Sequence, residues 1–174
     1  DDITLYCQKT GYVRDSIWTF SNTPSAKYSS MMRDNFLGFG CSATTLLRDQ
    51  FKINTFSVTE YQKRIDNNKL PTSLTLHFTK CQRMIYYLFW TAYSTKVNSQ
   101  EFEDFFGVPL KKIYGFELWI AKKLGFAIEE RGIYRMTLKG AFYYHYYENY
   151  YTLAYIDKIW GIMRHEAFPK EIIM

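Results

Sequence analysis

The residues most able to hold a ligand lie in Asn35-Phe-Leu-Gly-Phe-Gly-Cys-Ser-Ala-Thr44, where Gly38 and Gly40 precede three small side chains. Glycine admits positive φ and lets backbone come close to a neighbour, so this is a segment built for close approach. As a pattern it spells G-x-G-x-x-A, one form of the dinucleotide fingerprint, and Glu60 falls roughly where a ribose-binding acid would stand. The apolar run before it is only Phe36 and Leu37, and Thr44-Thr-Leu-Leu47 allows at most a brief helix after it. The competing reading is a tight strand-to-loop corner in an α/β domain.

Other chemistry-bearing residues are scattered. Cys7, Cys41 and Cys81 are spaced 34 and 40 apart, which no local cluster loop can use. An odd number of distant cysteines points to reduced thiols and a cytoplasmic setting. Cys41, inside the glycine loop, is either a reactive thiol or a small residue tolerated there. His77 and His165 have no partner at metal-ligand spacing, so no metal site is expected. His145 sits within Tyr143-Tyr-His-Tyr-Tyr147 and reads either as an axial haem ligand on an aromatic wall or as a packing residue. No Ser-His-Asp or Cys-His signature is present, and the catalytic residues remain unknown.

The elements that must position these groups follow from periodicity and capping. Ile3 to Lys9 reads as the end of a helix, Tyr12 to Phe20 as a strand, 25–34 as a loop, and Asn35 to Phe39 as a second strand. Two such strands fit the last strands of a parallel half-barrel, whose ligands gather at strand C-terminal ends. Ser57-Val-Thr-Glu60 is a capping box opening a short helix that ends near Asn67-Asn68, and Leu70-Pro71-Thr72 reads as a linker. Beyond it Thr79-Lys-Cys-Gln82 caps a helix to about Ser94, with Cys81, Ile85, Leu88 and Ala92 as its apolar stripe. Asn98 caps a helix ending at Gly107 that buries Phe102, Phe105 and Phe106.

Pro109 opens the next helix, with Leu110, Ile113, Glu117, Ala121 and Leu124 on one face and Gly125 as its stop. Residues 127–136 form a hairpin about Arg131-Gly132. Thr137 begins a long helix to about Arg164, with Phe142, Tyr146, Leu153, Ile156, Trp160 and Met163 as its stripe. The fold class expected is α+β: strands before residue 56, then a mostly helical, winged-helix-like domain with a β-hairpin.

Composition bounds the partners. The chain of 174 residues carries 20% aromatics, among them 16 Tyr and 14 Phe, which supports a sizeable core and a contact face. No apolar run approaches a membrane span, and no export signal is visible. The net charge of +5 is spread without a basic run, so it attracts anions only weakly. In the winged-helix reading residues 109–124 are the recognition helix, exposing Lys111, Lys112, Lys122 and Lys123. That helix lacks the Arg, Asn or Gln usual in base readout, so nucleic acid is not the expected partner.

A resemblance emerges when the flanks join the glycine loop. Gly11-Tyr12, Ser16-Ile-Trp-Thr-Phe20, Tyr28-Ser-Ser30, Arg33-Asp34, the loop, Asn54, Tyr61 and Pro71 come in a familiar order. Phe102, Leu124-Gly125 and Thr137-Leu-Lys-Gly140 continue it. The chain resembles the C-terminal part of the oxygen-independent coproporphyrinogen III oxidase family, radical S-adenosylmethionine (SAM) proteins of haem biosynthesis. The resemblance implies residues 1–70 as the end of a partial α/β barrel and 71–174 as the helical C-terminal domain.

It further implies an oxidoreductase parent that carries a 4Fe–4S cluster and SAM and acts on a tetrapyrrole. Phe20, Gly38, Gly40, Ser42 and Ala43 match the segments near that cofactor. The family's Cys-x-x-x-Cys-x-x-Cys motif is missing, so the chain reads as a fragment without a cluster, inactive alone and prone to self-association where the barrel would cover it. Trp18-Thr-Phe20 departs from the Asp-His segment of the true oxidases, which favours a different substrate. The alternative is a winged-helix-like nucleic-acid-binding or protein-interaction module.

Overall fold

A computed structural model describes residues 2–22 and 35–170. The chain groups into two compact units, Asp1–Arg33 with Met84–Tyr147 and Asp34–Arg83 with Glu148–Met174. Each unit is therefore assembled from two stretches of sequence. The class is the expected one: mixed α+β, with small antiparallel sheets and, among the described residues, no closed barrel.

In the first unit helix α1 (Asp2–Lys9) leads through Gly11, at φ +82°, into a two-stranded ribbon, β1 (Val13–Arg14) and β2 (Phe20–Ser21). The single strand expected over 12–20 is thus a hairpin. Ser16 causes the reversal: its hydroxyl accepts from the amides of Trp18 and Thr19 and bonds the Thr19 hydroxyl at 2.8 Å. Short serine turns of this kind compete with extended backbone. The motifs Tyr28-Ser-Ser30 and Arg33-Asp34, and the loop expected at 25–34, lie outside the described residues.

The second unit holds a meander of β3 (Thr44–Leu47), β4 (Gln50–Asn54) and β5 (Thr72–His77), all antiparallel. The strand expected at 35–39 is reduced to a bridge between Phe36 and Leu46, and the brief helix after Ala43 is β3. Helix α2 (Val58–Asp66) begins at Ser57, whose hydroxyl accepts from the Glu60 amide at 3.3 Å. The reciprocal half of that box is not made: Glu60 pairs with Lys63 at 2.7 Å, and the Ser57 amide goes to the Thr55 hydroxyl. Thr72, taken as linker, opens β5.

Helix α3 (Lys80–Tyr93) has the full box, Gln82 amide to Thr79 hydroxyl and Thr79 amide to Gln82 carbonyl oxygen. Its inward face is Met84, Tyr87 and Thr91, while Cys81 and Ile85 are exposed. With aromatics on every side, the 81–85–88–92 stripe was one of several of equal periodicity.

A winged-helix-like arrangement follows: β6 (Lys96–Asn98), α4 (Ser99–Phe106), α5 (Leu110–Lys123), β7 (Ala127–Glu130) and β8 (Ile133–Met136), in sheet order β6-β8-β7. Asn98 caps α4 through its amide oxygen, and Gly107 closes it at φ +69°. The β7–β8 turn places Arg131 at φ +51° and Gly132 at +79°, as a two-residue hairpin twist requires.

The core of this arrangement is Met84, Tyr87, Phe102, Leu110 and Tyr134. Phe105, expected inside, is 39% exposed and stacks its ring on Tyr87 at the edge of this core. Non-helical backbone at Tyr114 kinks α5, so Tyr114 and Leu118 pack inward in place of Ile113 and Glu117.

Helix α6 (Leu138–Tyr151) passes through a π-helical stretch (Thr152–Ile156) into α7 (Asp157–His165), making the long terminal helix expected. Its early stripe is reversed. Gly140 and Ala141 are buried, whereas Phe142 and Tyr146 face solvent. Gly140 explains this: a Cβ there would stand 2.0 Å from the Phe126 carbonyl oxygen, so backbone packs directly against that edge of the helix.

Candidate functional site

The glycine loop of the second unit is held by side chains of the sheet and helix that follow it. The Gly38 amide donates to the Thr45 hydroxyl (3.0 Å) and the Gly40 amide to the Tyr61 hydroxyl (3.2 Å). The Asn54 side-chain amide donates to the Gly40 carbonyl (3.0 Å), and the Ser42 amide to the Thr55 carbonyl (3.0 Å). Asn54 also donates its backbone amide to the Ala43 carbonyl.

The two glycines do different work. A Cβ on Gly38 would lie 2.1 Å from the Thr44 carbonyl oxygen, so only glycine fits there. Gly40 stands at φ +100° with nothing within 4 Å of its Cβ position, leaving open space for a neighbour to approach. Between them Phe39 is 87% exposed.

This geometry rules out a dinucleotide clamp. Such a clamp needs a helix whose N-terminal amides meet the pyrophosphate, and here the loop enters strand β3. The amides of Gly38, Gly40 and Ser42 are already committed within the protein, so the corner reading holds. Of the anticipated site residues, Gly38, Gly40, Ser42 and Ala43 form one loop. Phe20 belongs to the other unit, in β2, with the Arg14 guanidinium 5.0 Å from its ring centre. Arg14 donates to the Ile17 carbonyl at 3.1 Å and to the Thr4 hydroxyl, and burial lowers its pKa below the usual guanidinium range.

His145 packs edge-on to Trp18, ring centres 4.0 Å apart, with its Nδ1 buried and unpartnered among the described residues. That contact is the packing role. His77 is exposed on β5, and His165 ends α7, where it borders an open groove of about 500 Å³ with Lys158, Gly161, Ile162 and Glu166. Cys7 lies on α1, Cys41 in the loop and Cys81 in the first turn of α3.

The basic face of α5 is partly neutralised from within. Glu129 of β7 accepts from Lys111 at 2.7 Å and from Lys122 at 2.6 Å. These two charge-assisted bonds hold its carboxyl down to about 2, from 4.5. Its side chain is 18% exposed, shielded between lysines that are themselves in water. Lys111 is raised above 10.5 by the same bond. Burial raises the Tyr134 phenol beside them.

Sequence reasoning singled out the loop but missed its pins Thr45 and Thr55 and the clamp Glu129. Asn54, Tyr61 and Gly140 were marked through their place in the motif order, without the contacts they make.

No protein-family model and no curated protein matches the sequence. Among solved structures the fold is similar to coproporphyrinogen III oxidase from Escherichia coli, described as a radical SAM enzyme. The TM-score is 0.54 at 11% identity, over 83% of this chain and 38% of that one. The likeness is one of fold, and the chain spans well under half the length of that enzyme. No helix among the described residues is long and apolar enough to cross a membrane.

Proposed function

We propose that this chain is the C-terminal part of a radical SAM protein like the oxygen-independent coproporphyrinogen III oxidases, acting on a tetrapyrrole in haem metabolism. The observation that carries the reading is the fold likeness to such an enzyme across 83% of the chain. It agrees with a motif order quoted from the residues alone.

In this reading the chain's own residues frame the cofactor rather than ligate it. Cys7, Cys41 and Cys81 sit on separate elements and do not fit a 4Fe–4S cluster, so the cluster belongs to the parent's other part. The loop fits a bordering role for SAM. Gly40 has room beside it, and the pins from Tyr61 and Asn54 set its backbone before any ligand arrives. Preorganisation of this kind lowers the entropic cost of binding. The Trp18-Thr-Phe20 turn supports a tetrapyrrole other than the true oxidases' substrate.

The alternative, an interaction module, draws on the β6-β8-β7 wing topology. Glu129 argues against duplex readout because it occupies two of the four α5 lysines.

The test is anaerobic reconstitution with iron and sulfide on the parent polypeptide, read by electron paramagnetic resonance with and without SAM. A 4Fe–4S signal altered by SAM is expected, with none formed by residues 1–174 alone. A parent without a cysteine triad, or a stoichiometric cluster on residues 1–174, overturns the proposal.

A further inference from the structure

Helix α5 is two helical pieces joined at one residue. Tyr114 stands at φ −118°, ψ 22°, outside the helical region, and Gly115 after it has nothing within 4 Å of its Cβ position. The first piece is seated by Leu110, which is buried in the core. From Gly115 to Leu124 no residue is fully buried. Leu118 is half-buried against the core, while Phe116, Trp119 and Leu124 face water. A segment with so little buried apolar surface belongs to the part of a structure that opens first. Its far end is fixed: the Thr137 hydroxyl donates to the Gly125 carbonyl (2.7 Å) and the Lys139 ammonium to the Leu124 carbonyl (2.9 Å). Residues 115–123 thus run between two anchored ends.

Glu129 bridges the joint. One carboxylate oxygen accepts from Lys111 of the first piece (2.7 Å) and the other from Lys122 of the second (2.6 Å). On a straight helix those residues lie about 16 Å apart along the axis. Both stems must lean inward to meet one carboxylate, so making both bonds together requires the two pieces to keep their present angle. Lys122 also lies over the ring of the core residue Tyr134, 5.9 Å from its centre. We propose that residues 115–123 are a strap that lifts from the core as a unit about Tyr114 and Gly115, and that Glu129 is the catch that holds it down. The lysines are 61% and 40% exposed, which keeps the catch weak. Ion pairs of this kind contribute about 1 kcal/mol, or about fivefold in the open population. Salt, or an anion competing for the two lysines, therefore raises the open population while the rest of the unit stays folded.

The experiment is amide hydrogen exchange on the whole chain at neutral pH and low salt, with and without mild urea. Amides of 116–123 should exchange ahead of those of α4 and with almost no urea dependence, since lifting the strap exposes little surface. Glu129→Gln should speed them about fivefold. Raising the salt to about 1 M should speed them in the unmodified chain but not in that variant. Gly115→Ala should slow them about fivefold by stiffening the joint. Lys112→Ala lies off the catch and should leave the strap amides within about twofold, as every variant should leave those of α1.

Strap amides that share the protection and urea slope of α4 open only with the whole unit, and overturn the proposal. So does a strap that neither Glu129→Gln nor salt accelerates, or one that Lys112→Ala accelerates as much as Glu129→Gln. The salt comparison in the unmodified chain needs no substitution, so it decides even where a variant fails to fold. Nothing in the strap depends on the parent's chemistry, and the cluster measurement can fail without it.

Discussion

Gly140→Ala tests the account of how α6 meets the hairpin. In a solvent-exposed helix interior this change stabilises by about 1 kcal/mol, because alanine is the better helix former. Here the new methyl would stand 2.0 Å from the Phe126 carbonyl oxygen and 2.9 Å from Met136 Cγ. The methionine can move; the backbone carbonyl can do so only if helix and strand part. That carbonyl also accepts from the Thr137 amide (2.9 Å) and hydroxyl (3.2 Å), and the same hydroxyl accepts from the Gly140 amide (3.0 Å).

Overpacking costs roughly 1–3 kcal/mol, and disturbing one or two of these bonds adds about 1 each. Set against the helix gain, the net loss is about 1–4 kcal/mol. For a chain of this length that lowers Tm by roughly 2–16 °C. Gly161→Ala in α7 is the matched control, with nothing within 4 Å of its Cβ position; it should hold or raise Tm. Thermal unfolding followed by circular dichroism reads both. A Gly140→Ala protein as stable as the parent would refute the close approach.

Glu129→Gln should destabilise by about 1 kcal/mol near neutral pH, a figure kept small because both lysines are in water. The folded carboxyl, near 2 against 4.5 free, contributes stability above about pH 4.5 that is lost as pH falls toward 2. The raised Lys111 contributes below about 10.5 and loses it as pH rises past that value, so the Gln variant should lose the advantage of this plateau in urea melts. Gly38→Ala should disrupt the loop far more than Gly40→Ala: the first meets the Thr44 backbone, the second only the strain of φ +100°, about 1–2 kcal/mol. Hydrogen exchange of β3 amides separates them. Random duplex DNA should bind weakly in anisotropy titrations and release near physiological salt; submicromolar affinity there would restore the nucleic-acid reading. Haem should show no Soret change lost on His145→Ala, since Trp18 already occupies that ring's edge.

Much of the second half was legible because its signals are local. Asn98, Gly107, Thr79 with Gln82 and the Arg131-Gly132 turn each act through hydrogen bonds or φ within a few residues. Helix faces were not legible in the aromatic segments. When nearly every position is apolar, periodicity no longer selects a side, and the kink at Tyr114 turned α5 further. Strands β5 and β6 were hidden for another reason. Thr72-Ser-Leu-Thr-Leu-His77 follows a proline, and Lys96-Val-Asn98 is three residues long; both exist through pairing with distant partners. In the glycine loop the residue types were visible, but Thr45, Asn54, Thr55 and Tyr61 close it from 7 to 21 residues away, which no local pattern records.

The interleaving of the two units bears on the order in which the molecule can be made. The second unit needs residues from both sides of Met84–Tyr147, and its ties are distant in sequence. Ser73 donates to the Ala167 carbonyl 94 positions away, Phe56 packs with Trp160, and Arg64 lies over Phe168. On the ribosome, at roughly 5–20 residues per second, its sheet must wait several seconds for its last helix, while the intervening segment can already form its own core. During that interval the partner surfaces of the β3–β5 meander are bare, and a second nascent chain can supply the missing α7. Slow, concentration-dependent refolding with exchanged terminal helices is the kinetic signature this topology carries.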